Sequence, residues 1–251
     1  MVTGQARVLQ QHDPRKVRVV YERERYHDAW LHNPRIAQRG EKGDFQTLAA
    51  RDRYLRPYVA SKSSNHWTWR RYGPPKGELY FTADESAYGE QYSGRVILEP
   101  HIKPGASPNK EWGWVRWNKL AWLLQRRGFR VTQLGPNGHQ SLEGAERIYT
   151  PTMRHAAAIV ARARAAALPE GGLHHVCAAV GTPAVVIFGG YIAPAVTGYE
   201  EQVNLFTGAS KGYELGCGMR VHCSHCREAM ARIAPEDVAE RLMAILKAGA
   251  A

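Results

Sequence analysis

The stretch from Glu170 to Gly190 reads EGGLHHVCAAVGTPAVVIFGG, and its residue types suit the binding of an anion. Two glycines stand where a helix begins. They offer free backbone N–H groups and the positive end of the helix dipole to a phosphate or diphosphate. Glu170, at the mouth, can hydrogen-bond sugar hydroxyls or act as a base, which makes it the candidate catalytic residue. The competing reading is an acid that only complements the dipole. His174 and His175 fall in the first turn. Adjacent helical residues point about 100° apart, so one at most faces a ligand and the other packs.

Two further groups can do chemistry. In PGASPNKEW at Pro104–Trp112, Gly105, Ala106, Ser107, Asn109 and Lys110 can hold a phosphate by backbone N–H, hydroxyl and ammonium together. The GxxxxGK[ST] spacing of a Walker loop is absent, and a plain Pro/Gly turn is the alternative. In GCGMRVHCSHC, Cys217, Cys223 and Cys226 with His222 give a Cys-x2-Cys pair plus a third Cys and a His, compatible with a tetrahedral structural zinc. Free thiols are the alternative there. Cys177 lies within the central helix and reads as core.

Between Arg51 and Lys76 seven basic residues interleave with Tyr54, Tyr58, Trp67, Trp69 and Tyr72 against one acid, Asp52. Such a mixture can stack bases and neutralise phosphates. It is equally the pattern of an aromatic-packed connection with a solvated basic face. Arg70, Arg71 and Trp69 are its candidate acceptor- or anion-binding residues.

The elements that must position these groups follow from periodicity. A short helix within Met1–Gln11, a strand at Val17–Tyr21 and a turn about Ala29–Trp30 precede the aromatic stretch. Glu78–Thr82 reads as a strand, and TADE as a helix start with Thr82 as N-cap and Glu85 three residues on. From Arg95 the rhythm becomes regular: strand Val96–Glu99, helix Trp114–Arg127 capped by Gly128, strand Arg130–Leu134, helix Thr152–Arg164, strand Ala165–Leu168, the central helix, strand Ala184–Phe188, and a last helix opened by Pro235 with Val238, Leu242, Ile245 and Leu246 on one face. The alternation predicts an α/β fold with a parallel sheet covered on both faces. Ligands of such sheets bind beyond the carboxyl ends of the strands, here the loops after Glu99, Leu134, Leu168 and Phe188.

Bulk properties set the frame. A chain of 251 residues with 44% hydrophobic and 23% charged residues has the composition of a globular protein, and excludes a disordered one. No apolar run is long enough to span a membrane, and no charged-then-apolar leader opens the chain, so a cytoplasmic location is expected. The net charge of +11 is divided almost evenly between residues 1–94 and 95–251. It favours an anionic partner met by a basic surface: a nucleotide, an anionic glycan or glycolipid, or nucleic acid.

The segment PGAS…K.W, the block EGGLHHVCAAVGTPAVVIFGG and the cysteine stretch before Ile233–Val238 resemble the C-terminal, donor-binding domain of glycosyltransferase family 9, the heptosyltransferase group. The family pattern there is Asp-Ser/Thr-Gly…His-x-Ala-Ala…Gly-Thr-Pro…Phe-Gly, and the resemblance spans about 96–246. It implies the glycosyltransferase-B fold: two Rossmann-like lobes, here a reduced acceptor-side lobe over 1–94 and a nucleotide-sugar lobe over 95–251. It implies metal-independent transfer of a heptose-like sugar from a nucleotide diphosphate sugar, an ADP-sugar first, to a hydroxyl acceptor, in the cytoplasm or peripherally at the inner membrane face. Lys110 would meet the diphosphate, Glu170 would stand for the family aspartate near the donor sugar, Gly171 and Gly172 would bind phosphate, and His175 would be the family histidine. The family's N-terminal domain opens with a strand and a glycine-aspartate loop that supplies the base. Only Gly4 and Gln5 can correspond to that loop, and Gln5 cannot be a base. The resemblance therefore implies a truncated N-terminal domain, a base from elsewhere or impaired catalysis. The other readings are a nucleic-acid-binding or -modifying protein and a non-catalytic sugar-nucleotide binder.

Overall fold

The computed structural model describes residues 1–20, 26–49, 56–135 and 140–249. Tyr21, which closes the expected first strand, and Arg51–Tyr54 of the basic aromatic stretch lie outside the described residues. The chain opens with α1 (Val2–Leu9), β1 (Val17–Val20), a 3₁₀ turn at Asp28–Trp30 and β2 (Gln46–Ala49). β1 and β2 pair in parallel, and a small core of Ala6, Val17, Trp30 and Ile36 joins them to α1. An antiparallel hairpin follows, β3 (Val59–Lys62) and β4 (Trp67–Trp69). Then α2 (Ala83–Glu90) begins at Thr82, where the Thr82 hydroxyl accepts from the Glu85 N–H and the Glu85 carboxylate accepts from the Thr82 N–H, the reciprocal cap predicted by TADE.

The remaining chain builds one sheet: β5 (Val96–Leu98), α3 (Trp114–Gln125), β6 (Val131–Gly135), β7 (Glu146–Tyr149), α4 (Met153–Val160), β8 (Ala165–Pro169), α5 (Gly172–Val180), β9 (Ala184–Gly189), α6 (Pro194–Thr197), β10 (Val203–Phe206), α7 (Ser224–Ala231) and α8 (Pro235–Ala248). Gly128 and Gly181 take φ of 81° and 79° just past α3 and α5, the left-handed turn that glycine adopts without penalty. The six strands are all parallel in the order β10-β9-β8-β5-β6-β7. Ile97, Leu134, Ala166, Leu168, Val186 and Phe188 pack toward α4 and α5. Val96, Leu98, Val131, Ala167, Val185 and Ile187 pack toward α3 and α8. With both faces covered, the central strands are apolar throughout instead of alternating. Cys177 is fully buried in this core, and burial pushes its thiol up to about 12.

Several expectations are corrected. Glu78–Thr82 is extended but belongs to no sheet. The Glu78 N–H donates to Thr3 Oγ1 at 3.0 Å, and Tyr80 O accepts from Arg154 at 2.6 Å. Side chains satisfy this backbone, so it gains nothing from a strand neighbour, while Leu79 and Phe81 still pack on the core. The helix expected to reach Arg164 ends at Val160, because the Arg164 N–H already pairs with Arg95 O as the chain enters β8. The short β7 and β10 and the helices α6 and α7 are additions to the expected list.

The N-terminal elements are held to the sheet domain at two places. Arg154 on α4 donates to both Glu85 oxygens at 2.5 Å, to Tyr80 O, to Asp28 O at 3.0 Å and to Leu31 O at 3.4 Å. One planar fork thus joins α4, α2, the extended segment and the N-terminal 3₁₀ turn. The hairpin β3–β4 docks separately: Trp69 Nε1 donates to Tyr191 O at 3.0 Å and Trp67 N–H to Gly218 O at 3.0 Å. The lobe boundary read at residue 94 is therefore crossed by packing.

Candidate active site

β5, the first strand of the sheet, lies beside β8, the fourth, and the crossovers on the two sides run in opposite directions. That is the switch point where doubly wound sheets leave a crevice at the strand ends. The loop after β5 reaches a 3₁₀ turn at Pro108–Lys110, capped by the Ser107 hydroxyl. The loop after β8 holds Glu170 and the two glycines that open α5. Lys110 Nζ makes a short ion pair with the Glu170 carboxylate and donates to Glu170 O at 3.4 Å. The side chains are 18% and 6% exposed, so the pair is poorly screened. Burial alone would raise the Glu170 carboxyl, but Lys110, by its charge and its hydrogen bond, outweighs it and holds the carboxyl below the ordinary carboxylate range.

Two cavities meet at this pair. The smaller, about 190 Å³, runs along the switch point and is lined by Glu99, His101, Ile102, Met153, Leu168 and Leu173 besides the shared residues. His101 Nδ1 lies 2.7 Å from Glu99 Oε1, which also accepts the His101 N–H at 3.1 Å. A carboxylate beside an apolar slot is the composition of a nucleoside subsite: hydroxyls at one end, a flat ring at the other. The larger cavity, about 440 Å³, is lined by Arg56, Tyr58, Trp67, Trp69, Tyr191 and Arg220 and shares Lys103, Ala106, Lys110, Glu170, Gly171 and Gly172 with the first. Arg220 and Arg56 lie 4.6 Å and 5.0 Å from the Trp67 ring centre, and Arg220 also donates to Gly105 O at 2.5 Å. This wall is cationic and aromatic, a surface for a polar anionic molecule with apolar faces.

The histidines divide their labour. His174 is fully buried; its Nε2 lies 2.9 Å from Thr197 O, and its Nδ1 lies 3.0 Å from the Gly171 nitrogen and 2.7 Å from Gly171 O. Burial lowers its pKa, which favours the neutral ring. Gly171 thus spends its N–H on His174, and the N–H groups left at the helix start belong to Gly172 and Leu173. His175 lines the larger cavity with Nδ1 2.8 Å from the Tyr199 hydroxyl, and burial holds its pKa well below the usual imidazole value.

Residues 74–213, more than half of the chain, match Glycosyltransferase family 9 (heptosyltransferase). The chain belongs to glycosyltransferase family 9. Among solved structures it is similar to the ADP-heptose LPS heptosyltransferase II of E. coli, with a TM-score of 0.52 and 21% identity over 69% of this chain and 54% of that one. It is also similar to the family 9 glycosyl transferase of Veillonella parvula, with a TM-score of 0.52 and 14% identity over 69% of this chain and 55% of that one. The dodecameric iron-containing heptosyltransferase TibC, solved with ADP-D-beta-D-heptose, gives a TM-score of 0.50 and 18% identity over 62% of this chain and 46% of that one. The chain therefore spans about half the length of these proteins, and at such identities the likeness establishes the α/β glycosyltransferase-B type fold. No curated protein matches the sequence.

Within this family 9 chain the residues singled out by sequence fall into three sets. Lys110, Glu170, Gly171, Gly172 and His175 converge on the two cavities. Ser107 lines the larger cavity, but its hydroxyl donates to Met219 O at 2.7 Å; Asn109 is buried and spends its amide on Met219 O at 2.8 Å and Val221 O at 2.7 Å. His174 is likewise a scaffold group and not a ligand contact. Arg70 and Arg71 are exposed and line neither cavity, whereas Trp69 is buried with its N–H committed; the basic wall is made by Arg56 and Arg220 instead. Gln5 donates to the Tyr72 hydroxyl at 2.9 Å, and a side chain at Gly4 would run into Pro75 O.

The cysteine set is corrected in one member. Cys217, Cys223, Cys226 and His225 bring one ligand atom each within 4.8 Å of one another; His222 is exposed and outside the group. The surroundings fit a metal. Cys217 Sγ accepts the Met219 N–H at 3.5 Å, Cys223 Sγ accepts the Cys226 N–H at 3.4 Å, and His225 Nε2 lies 2.8 Å from Gly208 O, bonds of the kind that hold a metal ligand in its orientation. The Cys217 thiol lies well below the ordinary thiol range, chiefly because Cys226 donates to it. No sequence signal separated His225 from His222. Glu99 and His101 were within reach of the strand-end rule, which pointed to their loop; Arg220 carried no signal at all.

Proposed function

We propose that this protein transfers a sugar from a nucleotide diphosphate sugar to a hydroxyl acceptor. The observation that carries the reading is the Lys110–Glu170 pair at the start of α5, set at the switch point of a family 9 sheet between a nucleoside-sized slot and a cationic cleft. The acceptor oxygen bonds to the anomeric carbon as that carbon's bond to the diphosphate breaks; the diphosphate leaves with the electron pair and the acceptor hydroxyl's proton passes to solvent water. Lys110 and the N–H groups of Gly172 and Leu173 meet the charge that grows on the leaving diphosphate. These fixed positive groups do the work that a divalent ion does elsewhere, so the transfer itself is metal-independent. Glu170, held ionised by Lys110, accepts hydrogen bonds from the donor sugar's hydroxyls.

The solved relatives named for ADP-heptose or solved with it favour an ADP-sugar with a heptose-like group, and Met153, Ile102 and Leu168 suit the face of an adenine. The acceptor is an anionic glycan or glycolipid received by Arg56, Trp67 and Arg220. In this reading residues 1–94 act on the acceptor side and 95–251 on the donor side, at the cytoplasmic membrane face; no helix among the described residues is long and apolar enough to cross a membrane. Cys217, Cys223, Cys226 and His225 hold a structural zinc or iron. Titration with ADP-, UDP- and GDP-sugars tests the core of the proposal: ADP-sugar binding in the micromolar range is expected, and no binding of any of the three at millimolar concentration would overturn it.

A further inference from the structure

The seven residues from Cys217 to Cys223 are bounded by two of the candidate metal ligands, and both the diphosphate loop and the hairpin are tied to them. Toward the diphosphate loop, Met219 O accepts from Ser107 and Asn109, Val221 O accepts from Asn109, and the Cys223 N–H donates to Asn109 Oδ1 at 3.1 Å. Toward the acceptor-side hairpin, Gly218 O accepts the Trp67 N–H at 3.0 Å, Cys217 O lies 2.8 Å from His66 Nε2, and the Arg220 N–H donates to Asn65 O at 2.7 Å. Toward the end of β9, the Cys217 and Gly218 N–H groups donate to Gly190 O and Tyr191 O at 2.9 Å and 3.0 Å. The contact is close enough that Gly218, at φ 67°, leaves no room for a side chain against Trp67 O.

We infer that this stretch is a metal-fastened clasp that sets the diphosphate loop and the acceptor hairpin against each other. The inference rests on the proposed donor site and adds a coupling to it. The stretch contains no helix or named strand of its own, so apart from these hydrogen bonds and one isolated bridge to His66 the cysteine cluster is what ties its two ends together, and its own side chains add only Arg220 to the cleft. Three thiolates and an imidazole select a tetrahedral, thiolate-preferring ion, zinc or iron. An ion at about 2.3 Å from each sulfur needs sulfurs about 3.8 Å apart; Cys217 and Cys223 are 3.7 Å apart, while Cys217 and Cys226, at 2.8 Å, part by about 1 Å around it. The Ser107 hydroxyl proton and the Asn109 amide, the buried polar donors of the diphosphate loop, find their acceptors on this stretch. Binding of the ion and of the nucleotide are then linked, each raising the affinity for the other by the same factor.

The test uses the full chain, stripped by chelation and reloaded with Zn2+ or Fe2+, with metal content, hydrogen exchange and ADP titration as readouts. One ion per chain is expected, of whichever metal the protein retains. Stripping should speed exchange in both 104–110 and 59–69 and weaken ADP binding on the order of 10-fold, within the usual range of site–site coupling. H225A should behave as the stripped protein and H222A as the loaded one. N109A should keep the ion and the protection of 59–69 but lose that of 104–110 together with ADP affinity, which isolates the clasp even if stripped protein unfolds. A chain that takes up neither metal, a Cys217–Cys226 disulfide in its place, or equal exchange of both segments with and without the ion overturns the inference. Failure of the loaded protein to bind ADP overturns the donor-site reading instead, and the exchange data still judge the clasp.

Discussion

Replacing Lys110 by methionine removes a charge and keeps the length of the side chain, leaving Glu170 buried and without its cation. Breaking a buried pair from one side costs about 3–5 kcal/mol. The low end applies, because Lys110 keeps 18% exposure. For a chain of this size about 3 kcal/mol corresponds to a fall in melting temperature of roughly 6–12 °C. The pH dependence is more diagnostic than the size. In the native protein the Glu170 pKa lies below its ordinary 4.5, so the pair contributes stability that is present above pH 4.5 and lost as pH falls through the folded value. In K110M the largest remaining influence is burial, which raises the carboxyl, so the sign reverses and the variant is penalised as pH rises past 4.5. The gap in unfolding free energy between K110M and wild type should therefore widen from about pH 4 to pH 7, measured by urea denaturation. K110M/E170Q, with no charge left to bury, should regain most of the loss. An equal gap at pH 4 and pH 7, or a double variant no better than K110M, would refute the buried-pair account.

Three other outcomes are expected. E85Q removes the carboxylate that Arg154 and the Thr82 N–H hold at a pKa of about 2. Wild type should lose stability between pH 4.5 and pH 2, by up to about 3 kcal/mol at about 1.4 kcal/mol per unit, while E85Q starts lower and its urea midpoint changes less over that range. M153A should weaken nucleoside diphosphate binding roughly 10-fold in calorimetry, the loss of about 1–2 kcal/mol of apolar contact; an unchanged affinity would place the base elsewhere. R56A should raise KM for an anionic acceptor about 5–10-fold, one charge-assisted contact at a partly exposed site, with donor affinity unchanged; a shift in donor affinity alone would move Arg56 to the other side of the cleft.

The candidate site around α5 was legible in part because its elements depend on local rules. Glycine and proline punctuate Glu170–Gly190, the apolar runs mark β8 and β9, and the strand-end rule then names the loops where ligands bind. Thr82 with Glu85 and Pro235 with its acidic first turn were equally readable, since a cap involves only residues within one turn. Expectations failed where a partner distant in sequence decides. Glu78–Thr82 has the composition of a strand, yet Arg154, more than seventy positions away, supplies its hydrogen bond. Asn109 has the spacing of a phosphate ligand, yet its amide is taken up by a loop 110 residues on. Adjacency on a helix predicted that one histidine would turn inward, but only the packing of Thr197 beneath α5 makes that one His174.

The same distinction runs through residues 1–94, the span that the proposed reading gives to the acceptor. Its first described residues build a two-stranded pair with a small core of its own. The cleft is walled by a later part of the same span, the hairpin β3–β4, whose backbone leans on Gly218 and whose Trp69 is buried against Tyr191. The basic aromatic stretch that read as a stacking surface is thus divided: Arg70 and Arg71 face solvent, Arg56 and Trp67 line the cleft, and Trp69 lines it too but is mostly buried with its N–H committed to Tyr191 O. A hairpin attached this way cannot swing as an independent lobe, since its docking bonds run to the strand and loop that also carry the donor site. If the proposed donor site is right, closure over a sugar nucleotide comes from side chains such as Arg56 and Arg220 while the Cys217–Cys223 stretch stays in place. Hydrogen exchange in 59–69 that is unchanged or slowed by saturating ADP is then expected, and exchange that rises on binding would refute it.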